Sequence, residues 1–317
     1  MTQDPNTLRS LQGAVRLTDW GVIRASGEDA RSFLQGQLTQ DVLTLEDHQA
    51  RLAGLCTAKG RLVASFVVWC TSPTELFLAC SADLLAATLK RLSMFVLRAK
   101  CKLSDASDEL AVWGLAGEAA AALLGVPLEH AVWSRKGLGG ASMIRLPDAM
   151  ADGQAVPRLL WIAAADTMAP ALQALQPAAW RWLEVMSGTA RIMAATSEQF
   201  VPQMVNLELV DGVSFQKGCY PGQEIVARSQ YRGTLKRRAF VVTAESVLQP
   251  GQEVFHSGDD SQPCGMVVLA GQLDAQTAAL VELKLAAVGS GRLHAGTPDG
   301  PSMTLGALPY DIPTGAA

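Results

Sequence analysis

The amino-acid sequence predicts an α+β chain that closes with a small all-β domain, and three observations carry that expectation. Short strand-like runs and amphipathic helical stretches alternate through the first three quarters of the chain. After Arg238 the apolar runs shorten and are cut by Pro-Gly, Ser-Gly-Asp-Asp and Gly-Ser-Gly, the punctuation of an all-β unit. The 317 residues are 49% hydrophobic and 18% charged, enough for a large core and for more than one domain. The division is placed between residues 1–235, an α+β region, and 236–317, a C-terminal β-barrel.

The elements follow in order. Residues 14–25 alternate around Thr18-Asp19-Trp20-Gly21 and predict a hairpin. Ser26 is placed to cap a helix through Asp29, Phe33 and Leu34 that ends near Gly36. Residues 51–56 and 61–69 read as strands joined by Thr57-Ala58-Lys59-Gly60. A helix is predicted over 82–97, with Ser81 as cap, Asp83 in its first turn and Leu85, Leu89, Leu92 and Phe95 near helical spacing. A strand follows at 111–115, then a loop region over 137–157 carrying one strand at 141–146. Another strand at 159–164 and a helix over 178–192 complete the α+β part. The last strands are expected at 239–242, 266–270 and 279–285.

Composition removes several function classes. A net charge of −4 argues against nucleic-acid binding by the molecule as a whole. The richest apolar segment, residues 62–70, is strand-length and stops at Thr71-Ser72-Pro73, so no membrane span is expected. The polar opening MTQDPNTLRSLQG lacks a signal-peptide core, and a soluble cytoplasmic protein is expected. Six cysteines occur, at 56, 70, 80, 101, 219 and 264, without a CxxC pair or a histidine at ligand spacing. No structural metal site and no disulfide are therefore expected. Cys70 and Cys80 lie in apolar runs and read as small core residues, and Cys56 as structural.

Cys219 has a different setting, between Gly218 and Gly222, with Lys217 before it and Pro221 placed to open a helix through Ile225 to Ser229. A helix N-terminus and a lysine both support a thiolate, the nucleophilic and metal-binding form. On the residues alone, a reactive thiol and a packed cysteine in a tight turn stand level. From Lys217 to Arg238 six basic residues (Lys217, Arg228, Arg232, Lys236, Arg237, Arg238) face one acid, Glu224. That block reads either as a patch for a polyanion or as a solvated face. Arg228 and Arg232 suit anionic contacts through their fork geometry. Gln203 and Asn206 offer amides to a heterocycle, Tyr220 and Tyr231 offer stacking surfaces, and Lys59 and Arg61 are candidates to line the same cavity. The four histidines lack partners at useful spacing.

The run FVPQMVNLELVDGVSFQKGCYPGQEIVAR, residues 200–228, resembles the signature region of the YgfZ family. Gly27-Glu28-Asp29-Ala30 with FLQGQLT (33–39) and Asp41-Val42, LCTAKGR (55–61) and LSMFVLRAK (92–100) are similar to three further motifs of that family. The resemblance implies a tetrahydrofolate-binding protein linked to iron–sulfur cluster maintenance and, through it, to tRNA thiomethylation. It implies folate contacts from Lys217, Gly218, Tyr220, Gly222, Gln223 and Glu224, a key thiol at Cys219, and iron–sulfur client or assembly proteins as partners. The relation of that family to the T-protein of glycine cleavage, an aminomethyltransferase, implies two interleaved ferredoxin-like units around a central cavity, plus the barrel. The T-protein carries acids just after its glycine turn. Ala64 and Ser65 stand there in this sequence, and neither supplies a charge or a base, so aminomethyl transfer is not expected. At the T-protein's pterin-anchoring glutamate the alignment puts Met186, which cannot accept N–H donors. A folate-dependent one-carbon transferase and an RNA-binding module are the alternative readings.

Overall fold

The structure, a computed structural model, describes residues 9–123, 131–231 and 235–313. In chain order the α+β part runs β1 (Gly13–Arg16), β2 (Trp20–Ser26), α1 (Ala30–Gln35), β3 (Ala50–Cys56), β4 (Leu62–Ser72), β5 (Glu75–Ser81), α2 (Ala82–Ser93) and β6 (Lys102–Asp105). It continues with β7 (Leu110–Ala116), α3 (Glu118–Leu123), β8 (Arg135–Leu138), β9 (Ala141–Ala151), β10 (Gln154–Ala164), α4 (Pro177–Met186) and α5 (Gln223–Tyr231). One five-stranded sheet has the order β1-β7-β10-β9-β8 and the other β3-β4-β5-β2-β6. The chain starts in the first sheet, crosses to the second for β2–β6 and returns at β7, so the two units interleave.

That crossing corrects the hairpin expected at 14–25. β1 pairs with β7 and β2 with β5 and β6, so Thr18-Asp19 carries the chain between sheets instead of folding it back. Alternation reveals a strand but not its partner. The loop expected over 137–157 is also mostly strand. Gly139-Gly140 and Asp152-Gly153 hold positive φ at two tight hairpin tips, and their turn signals were spread too far. The residue capping helix α1 is Asp29, not Ser26; the Asp29 carboxylate accepts the Lys100 N–H at 2.7 Å. Helix α2 stops at Ser93, and α4 stops at Met186 because Gly188 turns left-handed with φ +64°.

The barrel closes in the order β11-β14-β13-β12-β15-β16, from β11 (Arg237–Ala244) through β12 (Glu253–His256), β13 (Gly265–Leu273), β14 (Gln276–Lys284) and β15 (Leu293–Ala295) to β16 (Ser302–Leu305). Helix α4 joins the layers. The Trp180 ring lies on Gly114 of β7, where a Cβ would come within 2.6 Å of it. On its other side Gly271 of β13 lets the barrel approach the Arg181–Trp182 backbone, and a Cβ there would meet Trp182 N at 2.3 Å. No helix among the described residues is long and apolar enough to cross a membrane.

Candidate functional site

Two separate places carry the chemistry, and β4 connects them. At its N-terminal end the turn Thr57–Gly60 nests into the Lys217–Gly222 turn. Gly222 sits at φ +80°, and a Cβ would come within 2.3 Å of Thr57 O and 2.6 Å of the Gly60 backbone. Gly60, at φ +71°, packs in return against Ile225, its would-be Cβ 2.9 Å from Ile225 Cβ. Only glycine permits both the dihedrals and the approach. The motifs at 55–61 and 217–224 thus form one backbone platform. Around Gly218, by contrast, a Cβ would meet nothing within 4 Å, and Cys219 beside it is exposed. Of the other five cysteines, Cys56, Cys70, Cys80 and Cys264 are buried and Cys101 is half-buried. Burial pushes the Cys56 and Cys80 thiols up to about 12, which makes them inert.

Other signature residues build this platform from within. Lys217 is buried, and its Nζ donates to the carbonyl oxygens of Gln35, which ends α1, and of Leu38, 5.1 Å from the Tyr220 ring centroid. Burial lowers its pKa to about 8, against the opposing pull of Asp41 and Cys219. The ammonium therefore anchors the turn, with two of its donors taken by backbone carbonyls. Tyr220 is buried, not free to stack, and burial raises its phenol pKa. Gln223 and Glu224 open α5, with Gln223 half-buried and Glu224 exposed.

Gln203 and Asn206, expected to present amides to a heterocycle, are fully buried and hold backbone. Gln203 Nε2 donates to Val226 O at 2.8 Å and Asn206 Nδ2 to Ala239 O at 2.8 Å. The polyanion patch expected over these basic residues is partly taken up inside the fold. Arg237 pairs with Glu282, Arg238 pairs with buried Glu208, and Lys217 is held by carbonyls, leaving Arg228 and Lys236 outside these pairings. A count along the sequence misses acids that arrive from other strands. Arg232 lies outside the described residues. Lys59 is exposed at its turn, and Arg61 donates to Gln199 O in a cleft shared with Arg237 and Glu282. Neither lines the central cavity.

That cavity lies five residues further along the chain from Gly60, a span of roughly 15 Å in extended backbone. Ser65 and Phe66 of β4, Arg158 of β10, Glu184 of α4, Arg191 and Trp20 line it, with both sheets contributing. Arg191 grips Glu184 with both ends of its fork, Nε–Oε1 at 3.1 Å and Nη2–Oε2 at 3.0 Å, and reaches Asp19 at 3.0 Å. Burial alone would raise the Asp19 carboxyl, yet Arg191 holds it below its ordinary value. Arg158, 3% exposed, is held only through Nε, which donates to Pro147 O at 3.1 Å, and by the Trp180 ring 5.5 Å below it. Sequence reasoning passed over Arg158 and Arg191, which carry no motif; a lone arginine in an apolar strand was the available signal. Met186 lines a different cleft, with Met150 and Tyr310. The acid at the cavity is Glu184, two residues earlier than the aligned position.

The comparisons with known proteins match this architecture. Residues 2–142 match the family model for the GCVT N-terminal domain. The curated "tRNA-modifying protein YgfZ" of Photobacterium profundum is 33% identical over 280 residues, 85% of this chain and 82% of that protein. Its counterpart in Klebsiella pneumoniae is 33% identical over 280 residues, 81% of this chain and 80% of that protein. The chain belongs to the YgfZ family. Among solved structures, the glycine cleavage system aminomethyltransferase T of Bartonella henselae superposes with a TM-score of 0.66 at 15% identity, covering 96% of this chain and 89% of that one. That likeness establishes a shared fold. Within this YgfZ chain, Ser65 Oγ accepts the Ile192 N–H at 2.9 Å at the cavity wall, and Ala64 is buried. No carboxylate replaces those two side chains.

The folate implied by the sequence resemblance is a pterin-bearing ligand, and the groups around the cavity bear on it through their own chemistry. A pterin edge offers N–H donors beside an oxo acceptor. Glu184 keeps lone pairs beyond its two bonds to Arg191, and Trp20, Phe66 and Trp133 supply flat apolar walls. The groups fit such a ring. The cavity is partly open to solvent and encloses about 410 Å³ of space between its walls, of which about 30 Å³ is free to a water-sized sphere.

Proposed function

We propose that this chain is a tetrahydrofolate-associated factor that supports assembly or repair of iron–sulfur clusters in client enzymes, and through them tRNA modification. Cys219 is its working thiol. The observation that carries this reading is that Cys219 is the one exposed cysteine among the described residues, held out on a platform of two interlocked glycine turns. A thiol so placed meets a partner's iron without rearrangement of the core, and as a single ligand it leaves the remaining positions to the partner. In the central cavity Glu184 would hold the donor edge of the folate. The bound folate would supply one-carbon chemistry, for which Ala64 and Ser65 offer no base.

In cells lacking this protein, the wild type restores cluster-dependent enzyme activity and Cys219→Ser does not. Equal rescue removes Cys219 from the mechanism. A one-carbon transferase reading requires turnover of methylene- or aminomethyl-tetrahydrofolate by the pure protein, and none is expected. The RNA-binding reading, which uses the basic helix, requires tRNA affinity that falls steeply with salt, and the pairing of Arg237 and Arg238 within the fold leaves it fewer free cations.

A further inference from the structure

The central cavity contains a hydrogen-bond donor that the proposed function leaves unused. The guanidinium of Arg158 is buried, yet its two terminal nitrogens bond no described residue. Its neighbour across the sheet shows the contrast. Arg145 directs its terminal nitrogens to Leu146 O at 2.7 Å, to Arg158 O at 3.3 Å and to the Asp148 carboxylate at 2.5 Å. The charge of Arg158 is offset at longer range by Glu184 and Asp148, while burial lowers its pKa to about 10. Its fork is nonetheless open in the wall of the cavity that Arg158 lines. The backbone aims it: the pairing of β10 with β9 slips between Val156 and Arg158, a bulge that re-aims the side chain next to it. A second donor at this cavity is also unpaired. The indole Nε1 of Trp20, which lines the same cavity, is buried without a partner among the described residues. Two unpaired donors in one cavity, beside one carboxylate, call for a ligand with an acceptor adjacent to its donor edge.

We infer that Arg158 reads the oxo oxygen of the bound pterin, so that the cavity selects 4-oxo pterins over their 4-amino analogues. The inference rests on the folate reading above and adds the specificity of that site. A planar guanidinium with free terminal N–H groups donates to an oxo oxygen, whereas a 4-amino group sets donor against donor.

The experiment titrates the full chain with folic acid and with its 4-amino analogue aminopterin, following tryptophan fluorescence, for wild type, Arg158→Met and Arg158→Lys. The two ligands share one tail and one oxidation state. The readout is the ratio of their affinities. Arg158→Met is expected to shift that ratio toward aminopterin by roughly 10- to 100-fold, and Arg158→Lys, which keeps a charged donor, by less. Circular dichroism checks that each variant is folded, and Arg158→Lys alone suffices if Arg158→Met is not. An unchanged ratio in the folded variants overturns the inference while leaving folate binding intact. Absence of binding by folic acid, aminopterin and tetrahydrofolate to the wild type overturns the folate reading instead.

Discussion

Arg191 ties together three parts of the chain that are far apart in sequence: Glu184 of α4, Asp19 of the crossing between sheets, and Ser81 Oγ at 3.2 Å. Removing a buried cation leaves its acids uncompensated, so Arg191→Met should cost about 3–5 kcal/mol, read from urea unfolding. A loss below about 1 kcal/mol would mean that water reaches the pair. Lys217 makes the matching case for pH. Its pKa of about 8 lies below the ordinary lysine value of 10.5, so the unfolded chain binds more protons between those limits. Stability contributed by this group therefore rises as pH climbs from about 8 to 10.5, and below 8 it is flat. The difference in melting temperature between wild type and Lys217→Met should change steadily across that window, and a constant difference would refute the assignment. Both residues show what was legible at this scale. The KGCY string announced that Lys217 mattered, but its inward turn depends on carbonyls roughly 180 positions away, which local spacing does not encode. Likewise a two-residue offset on a helix rotates the side chain to another face, which is why Glu184 and not Met186 reaches the cavity.

At the scale of elements, the platform under Cys219 depends on two glycines with opposite demands, although the sequence shows them as equals. Gly222 needs a left-handed backbone and contact with Thr57 O at a distance no Cβ tolerates. Gly222→Ala should therefore cost more than about 2 kcal/mol, combining dihedral strain with displacement of the Thr57–Gly60 turn. Gly218 has open space around it and no positive φ, so Gly218→Ala should stay within about 0.5 kcal/mol. Chemical denaturation of the pair checks both. Equal losses would show that the two turns do not interlock. Most strands and helices were legible from their periodicity, including the barrel. The pairing of β1 with β7 was not, because β2 to β6 intervene before that ladder closes and no short-range pattern marks it.

For the molecule as a whole, the question is what makes the barrel and the α+β body a single unit. The segment between them answers it. Arg238 at the start of β11 donates to Gln203 O at 3.0 Å and pairs with buried Glu208, while Asn206, at φ +57°, holds Ala239 O. From the other end of the barrel, Tyr310 donates to Gly188 O at 2.7 Å and accepts from Asn206 Nδ2 at 3.3 Å. The string PQMVNLE therefore reads as a clamp between the two parts. Burial raises the Glu208 carboxyl above its ordinary value, and Arg238 opposes that rise. Without the arginine, Glu208 would sit buried with no cation, and the barrel would lose one of its polar ties to the body. Arg238→Met should cost about 3–5 kcal/mol and split one calorimetric transition into two, the barrel melting first. Tyr310→Phe removes only the phenolic bonds and should cost about 1 kcal/mol with a single transition retained. If Arg238→Met still unfolds in one step, the cohesion lies in the close packing of Gly271 against α4, and Gly271→Ala becomes the substitution that should separate the two parts.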